Sequence, residues 1–176
     1  LLQAGSDVRG QVALLIGSTW ESRIWDLEYY AELSQLMWQR WKFESVLVGG
    51  PGDVRRASTI LQAADPSYMK NLVGKTSLRD LTGVFKRVNF AIGSDSGPMH
   101  IAAACGLPVV SLWGSTSPIR SGPYNWEAYT LQSAIGCAPC YQKKCPGIGT
   151  LCMKSLTPDV VMLQLERLID EVKTLQ

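Results

Sequence analysis

The sequence predicts an α/β protein with a mostly parallel, Rossmann-like sheet that carries helices on both faces. Short apolar runs alternate with helical patterns along the chain, most of these runs end near a glycine, and polar loops follow them. Strands that alternate with helices form βαβ units, and such units build parallel sheets that are buried on both faces. The almost uninterrupted apolar run at residues 11–17, QVALLIG, is typical of a strand in such a sheet.

The apolar runs predict six strands, and the segments between and after them predict five helices. The expected strands are 11–17, 45–50, a short one at the start of 70–77, 89–94, 108–114 and 128–133. The expected helices are 26–41, 53–64, 77–87, 98–105 and 158–175. Residues 26–41 illustrate the reasoning, because their apolar side chains recur at roughly helical spacing. Residues 114–126 are expected to form a loop.

Helix ends are also marked in the sequence. Ser77 and Asp80 have the spacing of a capping box, in which two side chains satisfy the free amides of a first turn. Pro98 and Pro158 suit the first turn of a helix, where a missing N–H group costs nothing. Gly106 is expected to cap the C-terminal end of the helix at 98–105.

Length and charge limit the classes of function. The chain has 176 residues, enough for one domain with a core, and a net charge of +2 with scattered Lys and Arg. This charge is too small to indicate a nucleic-acid-binding surface, and no apolar run is long enough for a membrane span. Residues 1–10 have the character of a linker from a missing N-terminal domain, so residues 11–176 are predicted to be one domain of a longer protein.

Five loops follow the predicted strands, and each contains Gly together with Ser, Thr or Asp. They are 17–23, 49–53, 74–77, 93–98 and 114–118. Any one of these loops could simply be a polar turn that caps the next helix. In open parallel sheets, however, ligands bind beyond the carboxyl ends of the strands. Five such loops at one edge therefore indicate a site for a polar ligand.

The loop at 93–98 gives the most specific indication. The free amides and the dipole of the helix that follows favour an anion, and Gly97 lets a ligand approach the backbone. His100, the single histidine of the chain, lies on the same turn and could donate a hydrogen bond to a phosphate oxygen. Ser94, Asp95 and Ser96 add polar groups. The alternative is that these side chains cap the helix and that His100 bonds a nearby carbonyl.

Two common nucleotide-binding motifs are absent from the sequence. The pattern G-x-x-x-x-G-K-[ST] does not occur, and no G-x-G-x-x-G follows the first strand. A P-loop NTPase and a standard dinucleotide-dependent dehydrogenase are therefore poorly supported.

One family shares the most specific of these patterns. Residues 94–124, SDSGPMHIAAACGLPVVSLWGSTSPIRSGPY, resemble the glycosyltransferase family 9 heptosyltransferases, which read D-[TS]-G-x-x-H-x-A-A-A-x-x-x-P-x-[VI]-x-[LI]-[FWY]-G-x-T-x-P. Residues 17–25 resemble the first loop of one half of that family, with Arg23 where a lysine is usual. Residues 137–158 contain four cysteines in the pattern C-x-P-C-Y…C-P…C-M-x-x-[LI]-T-P. This segment resembles the type II lipopolysaccharide heptosyltransferases. The resemblance covers nearly the whole chain.

The resemblance implies that this chain is the C-terminal, nucleotide-sugar-binding half of a two-domain GT-B glycosyltransferase. The donor would be ADP-heptose and the acceptor the inner core of lipopolysaccharide. Transfer would invert the anomeric centre and would need no metal and no cofactor. The partner would be the missing N-terminal domain, and the location would be the cytoplasm or, peripherally, the inner face of the inner membrane.

The resemblance also assigns substrate-binding roles to ten residues. They are Ser18, Thr19, Arg23, Asp53, Lys75, Thr76, Asp95, Ser96, Gly97 and His100. The first three would meet the diphosphate, Asp53 the ribose and the loop of Lys75 and Thr76 the adenine, while the last four would hold the phosphates and the sugar. Arg23 and His100 would stabilise the leaving diphosphate. The general base would lie on the other domain, so this half would bind the donor without turning it over.

Two other functions remain open from the sequence. The chain could belong to a transferase that uses a different nucleotide sugar. It could also be a nucleotide-binding or interaction module without transferase activity.

Four of the five cysteines lie close together. Cys137, Cys140, Cys145 and Cys152 form C-x2-C-x4-C-x6-C, which could hold zinc or an iron–sulfur cluster. They could equally be reduced cysteines that pack a loop, or form disulfides after purification. No metal ligand is assigned on this evidence. Cys105 stands alone in an apolar helix and is expected to be a small core residue.

Overall fold

The computed structural model describes residues 10–147 and 149–174 and shows a six-stranded sheet. The strands are β1 Gln11–Leu15, β2 Glu44–Val48, β3 Met69–Asn71, β4 Phe90–Ser94, β5 Val109–Trp113 and β6 Thr130–Gln132. Neighbouring strands are all parallel, in the order β3-β2-β1-β4-β5-β6. The predicted fold class is confirmed. The chain order reverses between β1 and β4, which is where such sheets open a crevice for ligands.

Seven helices accompany the strands in the described part of the chain. They are α1 Leu27–Trp41, α2 Val54–Ala63, α3 Leu78–Phe85, α4 Gly97–Ala104, α5 Pro118–Ser121, α6 Leu151–Lys154 and α7 Pro158–Thr174. The five expected helices are present with small shifts at their ends, and residue 175 of the last lies outside the described residues. None of the described helices is long and apolar enough to cross a membrane. The predicted linker at 1–10 lies, apart from Gly10, outside the described residues.

The expectation that residues 114–126 form a loop was wrong in part, because α5 lies within them. Ser117 precedes this helix, and its hydroxyl accepts a hydrogen bond from the backbone N–H of Ile119. Pro118 occupies the first helical position, where its fixed φ favours a turn of helix. A single helical turn is too short to show an apolar period, so periodicity could not predict it.

The sheet divides the core into two layers. Val12 and Leu14 point to one face of β1, against α1, α2 and α7, while Ala13 and Leu15 point to the other face, against α3 and α4. This alternation follows from the two-residue repeat of a strand. All four side chains are buried, since helices cover both faces. The core therefore fixes where each strand ends, and with it the loops at the carboxyl edge.

The predicted helix ends are confirmed, but one cysteine was misplaced. Ser77 and Asp80 form the expected reciprocal capping box on α3. Gly106 follows α4 with φ +75°, the left-handed conformation that commonly ends helices. Cys105, expected in the core, is exposed instead, because it is the C-terminal capping residue of α4 and lies beyond the face that packs on the sheet.

Candidate functional site

A cleft of about 610 Å³ opens at the carboxyl ends of β1, β2 and β4, at the point where the strand order reverses. The loops that follow these three strands line it. Eight of the ten predicted substrate-binding residues lie in this lining: Ser18, Thr19, Arg23, Asp53, Asp95, Ser96, Gly97 and His100. The structure thus brings together side chains that are far apart in the sequence.

Lys75 and Thr76 are not brought into this lining, as far as the described residues show. Lys75 is exposed, and its Nζ donates to the backbone carbonyl of Asn71 at 3.0 Å. The loop that carries both residues leads into α3, whose first residue, Leu78, does line the cleft. Lys75 and Thr76 therefore lie beside the rim of the cleft rather than within it.

Asp95 is the centre of the polar contacts in the cleft. Its carboxylate Oδ2 lies 3.2 Å from Nη1 of Arg23 and accepts a hydrogen bond of 2.9 Å from the hydroxyl of Thr116. Its Oδ1 lies 3.5 Å from Nε2 of His100. Asp95 is buried, so these partners compensate for the loss of water around its charge. Its carboxylate is thus placed to orient Arg23 and His100.

Arg23 ends a short 3₁₀ turn, Glu21–Arg23, and is only partly exposed. Its guanidinium carbon lies 3.9 Å from the centroid of the Trp20 ring, a cation–π contact. Burial lowers the pKa of Arg23, the charge of Asp95 acts in the opposite direction, and Arg120 lowers it further. An arginine keeps its proton in a protein even so. The cleft therefore holds a fixed positive charge.

The loops after β1 and β4 are tied to each other by hydrogen bonds. The hydroxyl of Ser18 donates to the backbone carbonyl of Asp95 at 3.3 Å, and Nη1 of Arg23 is 3.5 Å from the same oxygen. Both bonds cross the point between β1 and β4 where the strand order reverses. The mouth of the cleft is thereby held in one arrangement before a ligand arrives.

The N-terminal end of α4 faces the cleft without a side-chain cap. Ser96 is the residue before the helix, and its hydroxyl makes no capping hydrogen bond. Within the described part of the chain, the buried atoms Ser96 Oγ and Arg23 Nε have no hydrogen-bond partner. A Cβ added at Gly97 would meet no described atom within 4 Å. Free helix amides, two unpartnered polar groups and open space together suit an anionic ligand.

Asp53 is held by partners in the second loop and α2 and packs closely against Gly17 of the first loop. Its Oδ2 accepts a hydrogen bond of 2.9 Å from the backbone N–H of Gly50, and its Oδ1 pairs with Nη1 of Arg56. A Cβ at Gly17 would lie 2.3 Å from Oδ2 of Asp53, so only a glycine fits between them. Both carboxylate oxygens of Asp53 thus have partners within the protein.

Sequence reasoning missed Arg56 and Thr116. Arg56 lines the cleft from the first turn of α2, three residues after Asp53, a spacing that favours an ion pair on a helix. Thr116 lies in the loop after β5 and reaches Asp95 from there. The i,i+3 spacing could have indicated Arg56, whereas the contact of Thr116 depends on the packing of β4 beside β5.

Known proteins with similar sequences are glycosyltransferases. The family model described as glycosyltransferase family 9 (heptosyltransferase) matches residues 3–149. Lipooligosaccharide heptosyltransferase 2 of Campylobacter jejuni is 30% identical over 149 residues, which cover 82% of this chain and 46% of that protein. The chain therefore spans about half the length of the curated relatives that it matches.

Solved structures share the fold. E. coli ADP-heptose lps heptosyltransferase II superposes with a TM-score of 0.80 at 24% identity, over 97% of this chain and 49% of that chain. E. coli heptosyltransferase WaaC with ADP superposes with a TM-score of 0.71 at 22% identity, over 93% and 45%. The expected relation to one half of a GT-B enzyme is confirmed at the level of the fold. Together with the matched family model, these findings show that the chain belongs to glycosyltransferase family 9, the heptosyltransferases.

Proposed function

We propose that this chain is the donor-binding half of a heptosyltransferase that moves heptose from ADP-heptose to the inner core of lipopolysaccharide with inversion. The observation that carries this proposal is the cleft at β1 and β4, where Arg23, His100 and the free end of α4 converge. The Campylobacter jejuni relative is a lipooligosaccharide heptosyltransferase, and the E. coli heptosyltransferase WaaC was solved with ADP. Both support a nucleotide-sugar ligand here.

The diphosphate of the donor would lie between the first loop and α4. Arg23 offers a fixed positive charge, and its unpartnered Nε supplies a further donor. Ser18, Thr19 and Ser96 add hydroxyl groups around the same space, and His100 adds an imidazole. During transfer, negative charge grows on the departing diphosphate. Donors aimed at that charge before the reaction lower the barrier because they need no reorganisation.

The nucleoside would extend toward the second loop and the rim. Asp53, the residue proposed to meet the ribose, pairs with Arg56. The ribose would therefore lie beside this ion pair. The adenine would reach past Leu78, which lines the cleft, toward the loop of Lys75 and Thr76. This loop leads into α3 at Leu78 and so borders the lining there. The sugar would lie near Gly97, where no described side chain fills the space.

The general base would come from the other domain. Asp53 and Asp95 are the carboxylates that line this cleft in the described residues, and both are ion-paired. The oxygens of both carboxylates already have partners within this chain, so neither is placed to take the proton of the acceptor hydroxyl. The isolated chain would therefore bind ADP or ADP-heptose without turnover. The enzyme would act in the cytoplasm or peripherally at the inner face of the inner membrane, where its acceptor would be available.

Calorimetric titration of this chain with ADP, UDP and GDP tests the proposal. ADP should bind more tightly than UDP or GDP, and His100→Ala or Arg56→Ala should weaken ADP binding by about tenfold or more, the loss typical of a charged hydrogen bond. Arg55→Ala is the matched control, because Arg55 neighbours Arg56 on α2 but is exposed outside the cleft lining.

Each other result has a definite meaning. Preference for UDP or GDP would favour a transferase with a different nucleotide sugar. Absence of nucleotide binding by the whole protein would reject the donor-site assignment. Binding of ADP by the whole protein without sugar transfer would favour a nucleotide-binding module. An affinity unchanged by His100→Ala would remove His100 from the proposed set of ligand contacts.

A further inference from the structure

A buried pair of serines lies next to the arginine of the proposed donor site. Ser22 belongs to the 3₁₀ turn Glu21–Arg23 and directly precedes Arg23, while Ser115 lies in the loop after β5. Both side chains are buried, and their hydroxyl oxygens are 2.9 Å apart. Neither serine is part of the cleft lining in the described residues. Any effect of this pair on a ligand must therefore pass through a neighbouring residue.

The backbone at 141–143 bridges the turn of Arg23 and the loop after β5. The N–H of Ser22 donates to the carbonyl of Lys143 at 3.1 Å, and the N–H of Tyr141 donates to the carbonyl of Ser115 at 2.7 Å. This stretch lies among four cysteines whose thiols form no disulfide. The described side chains also hold no group of three or more metal ligands. The stretch therefore supports the turn through its backbone.

The hydroxyl of Ser22 has one proton and two oxygens within hydrogen-bonding distance. Its Oγ is 2.5 Å from the backbone carbonyl oxygen of Gln142 and 2.9 Å from Oγ of Ser115. A carbonyl oxygen can only accept, so Ser22 must donate to Gln142, and Ser115 must in turn donate to Ser22. This order gives every oxygen of the group a partner, as buried polar groups require. The hydrogen bonds thus form one directed chain from Ser115 through Ser22 to Gln142.

The loop after β5 holds both partners of the ion pair between Arg23 and Asp95. Ser115 bonds to Ser22, the residue before Arg23, and the next residue, Thr116, donates to Oδ2 of Asp95 at 2.9 Å. Both loop side chains are buried. Two consecutive hydroxyls therefore support the turn that carries the arginine and the carboxylate that it faces.

The side chain of Arg23 does not fix its own direction. Its Nη1 makes both contacts with Asp95, 3.2 Å from the carboxylate and 3.5 Å from the backbone carbonyl. Within the described residues, its buried Nε has no hydrogen-bond partner. An arginine has many rotamers, and ordering it costs conformational entropy. Because one terminal nitrogen makes both contacts, the direction of the guanidinium depends on the position of the turn behind it.

We propose that Ser22 and Ser115 are positioning residues, whose hydrogen-bonded chain holds the turn Glu21–Arg23 so that the guanidinium of Arg23 faces the diphosphate of the donor. This role rests on the proposed function for the identity of its ligand. Neither serine touches the donor, and no bond of either serine changes during transfer. A guanidinium that the chain already holds in place loses less freedom when the ligand binds, so the affinity is higher.

Calorimetric titration of the full-length protein with ADP tests this role. Ser22→Ala and Ser115→Ala should each weaken ADP binding by about fivefold, the loss typical of a neutral hydrogen bond. The double variant should bind no more weakly than Ser22→Ala, because Ser115 acts through Ser22. In a protein that already carries Arg23→Ala, Ser22→Ala should cause no further loss. An equal further loss there would overturn the proposal, since the serine would then affect the ligand by another route.

A second buried serine pair provides the matched control. Ser34 on α1 donates to Ser45 on β2 at 2.7 Å, both are fully buried, and neither lines the cleft in the described residues. Ser34→Ala removes an equivalent hydrogen bond, so chemical denaturation should show a loss of stability similar to that of Ser22→Ala. Its ADP affinity should equal that of the wild type. An equal loss of affinity in Ser34→Ala would attribute the effect to general destabilisation and reject the positioning role.

An NMR signal of the ligand-free protein separates this role from the proposed function. The guanidinium carbon of Arg23 lies 3.9 Å from the centroid of the Trp20 ring, so the ring current of the indole shifts the signal of the Nε–H group of Arg23. Ser115→Ala should move this signal although Ser115 is distant in the sequence, whereas Ser34→Ala should leave it in place.

The two readouts distinguish the possible failures. If the wild-type protein binds no ADP, the donor assignment fails, and the Nε–H signal decides whether the serines hold Arg23. An unmoved signal in Ser115→Ala would overturn the positioning role. Wild-type ADP affinity in Ser22→Ala, together with weakened binding in Arg23→Ala, would overturn it as well while leaving the donor site intact.

Discussion

The guanidinium of Arg23 lies 3.2 Å from the carboxylate of Asp95, and this ion pair joins the loops after β1 and β4. The two residues belong to the two strands between which the chain order reverses. Asp95 is buried and also accepts from Thr116, so it cannot leave this position without losing several partners at once. Arg23 is therefore presented to the cleft by a support within the chain, which is what its proposed stabilisation of a leaving diphosphate would require.

A double-mutant cycle with Arg23→Ala and Asp95→Asn measures this support. We expect a coupling of about 1 to 2 kcal/mol in the free energy of unfolding, within the range found for residues of one polar network. The ion pair of Lys144 with Glu21 is the control, because its atoms are 3.9 Å apart and both side chains are largely exposed. Its coupling should be about 0 to 0.5 kcal/mol. Chemical denaturation supplies both values. Equal coupling in the two pairs would show that Asp95 does not hold Arg23.

The position of the cleft could be predicted from the sequence because it depends on local patterns. Alternating strands and helices define the carboxyl edge of a parallel sheet, and glycine with serine or aspartate marks each loop at that edge. Five loops were expected to meet there, and three of them, 17–23, 49–53 and 93–98, contribute residues to the lining of the cleft, whereas 74–77 and 114–118 do not in the described residues. The approximate location of the candidate site thus follows from the order of the elements and the composition of the loops between them.

The contacts inside the cleft could not be predicted in the same way. Arg23 and Asp95 are 72 residues apart, and no spacing in the sequence shows that one carboxylate serves Arg23, His100 and Thr116 together. The loop of Lys75 and Thr76 was expected to contribute side chains, yet it stops beside the rim because β3 is short and lies at the edge of the sheet. Such details depend on strand lengths and packing distances, which local patterns do not determine.

Gly97→Ala should separate stability from ligand binding. Gly97 begins α4, and a Cβ there would meet no described atom within 4 Å, so alanine should raise the free energy of unfolding by about 0.5 kcal/mol. The added methyl group would nevertheless occupy space that the proposed donor needs beside the helix amides. ADP affinity should therefore fall by about tenfold.

The control for this experiment is Gly83→Ala. Gly83 lies within α3, outside the cleft, and a Cβ there also has no described atom within 4 Å. Thermal unfolding should show a similar or larger gain for this variant, and calorimetry should show unchanged ADP affinity. A Gly97→Ala protein that binds ADP as tightly as the wild type would mean that no ligand approaches α4 at this residue.

Tyr129 should make the protein sensitive to alkaline pH. It is buried in the 3₁₀ turn Glu127–Tyr129, and its hydroxyl donates to the carboxylate of Glu171 on α7. Burial, this hydrogen bond and the charge of Glu171 raise the pKa of Tyr129 from 10.0 to about 12, while Arg167 acts in the opposite direction. The folded protein therefore keeps this proton at a pH where the unfolded chain has begun to lose it.

The sign of the pH dependence follows from that difference. The stabilisation due to Tyr129 is fully present below pH 10 and is lost as pH rises from 10 to about 12, because the unfolded state binds fewer protons in this window. Denaturant unfolding of wild type and Tyr129→Phe should give free energies whose difference is constant below pH 10 and shrinks above it. Glu171→Gln keeps a hydrogen-bond acceptor but removes its charge, so the window in which stability falls should end at a lower pH. If the curves of wild type and Tyr129→Phe stay parallel up to pH 12, the hydrogen bond between Tyr129 and Glu171 does not hold the proton in the folded protein.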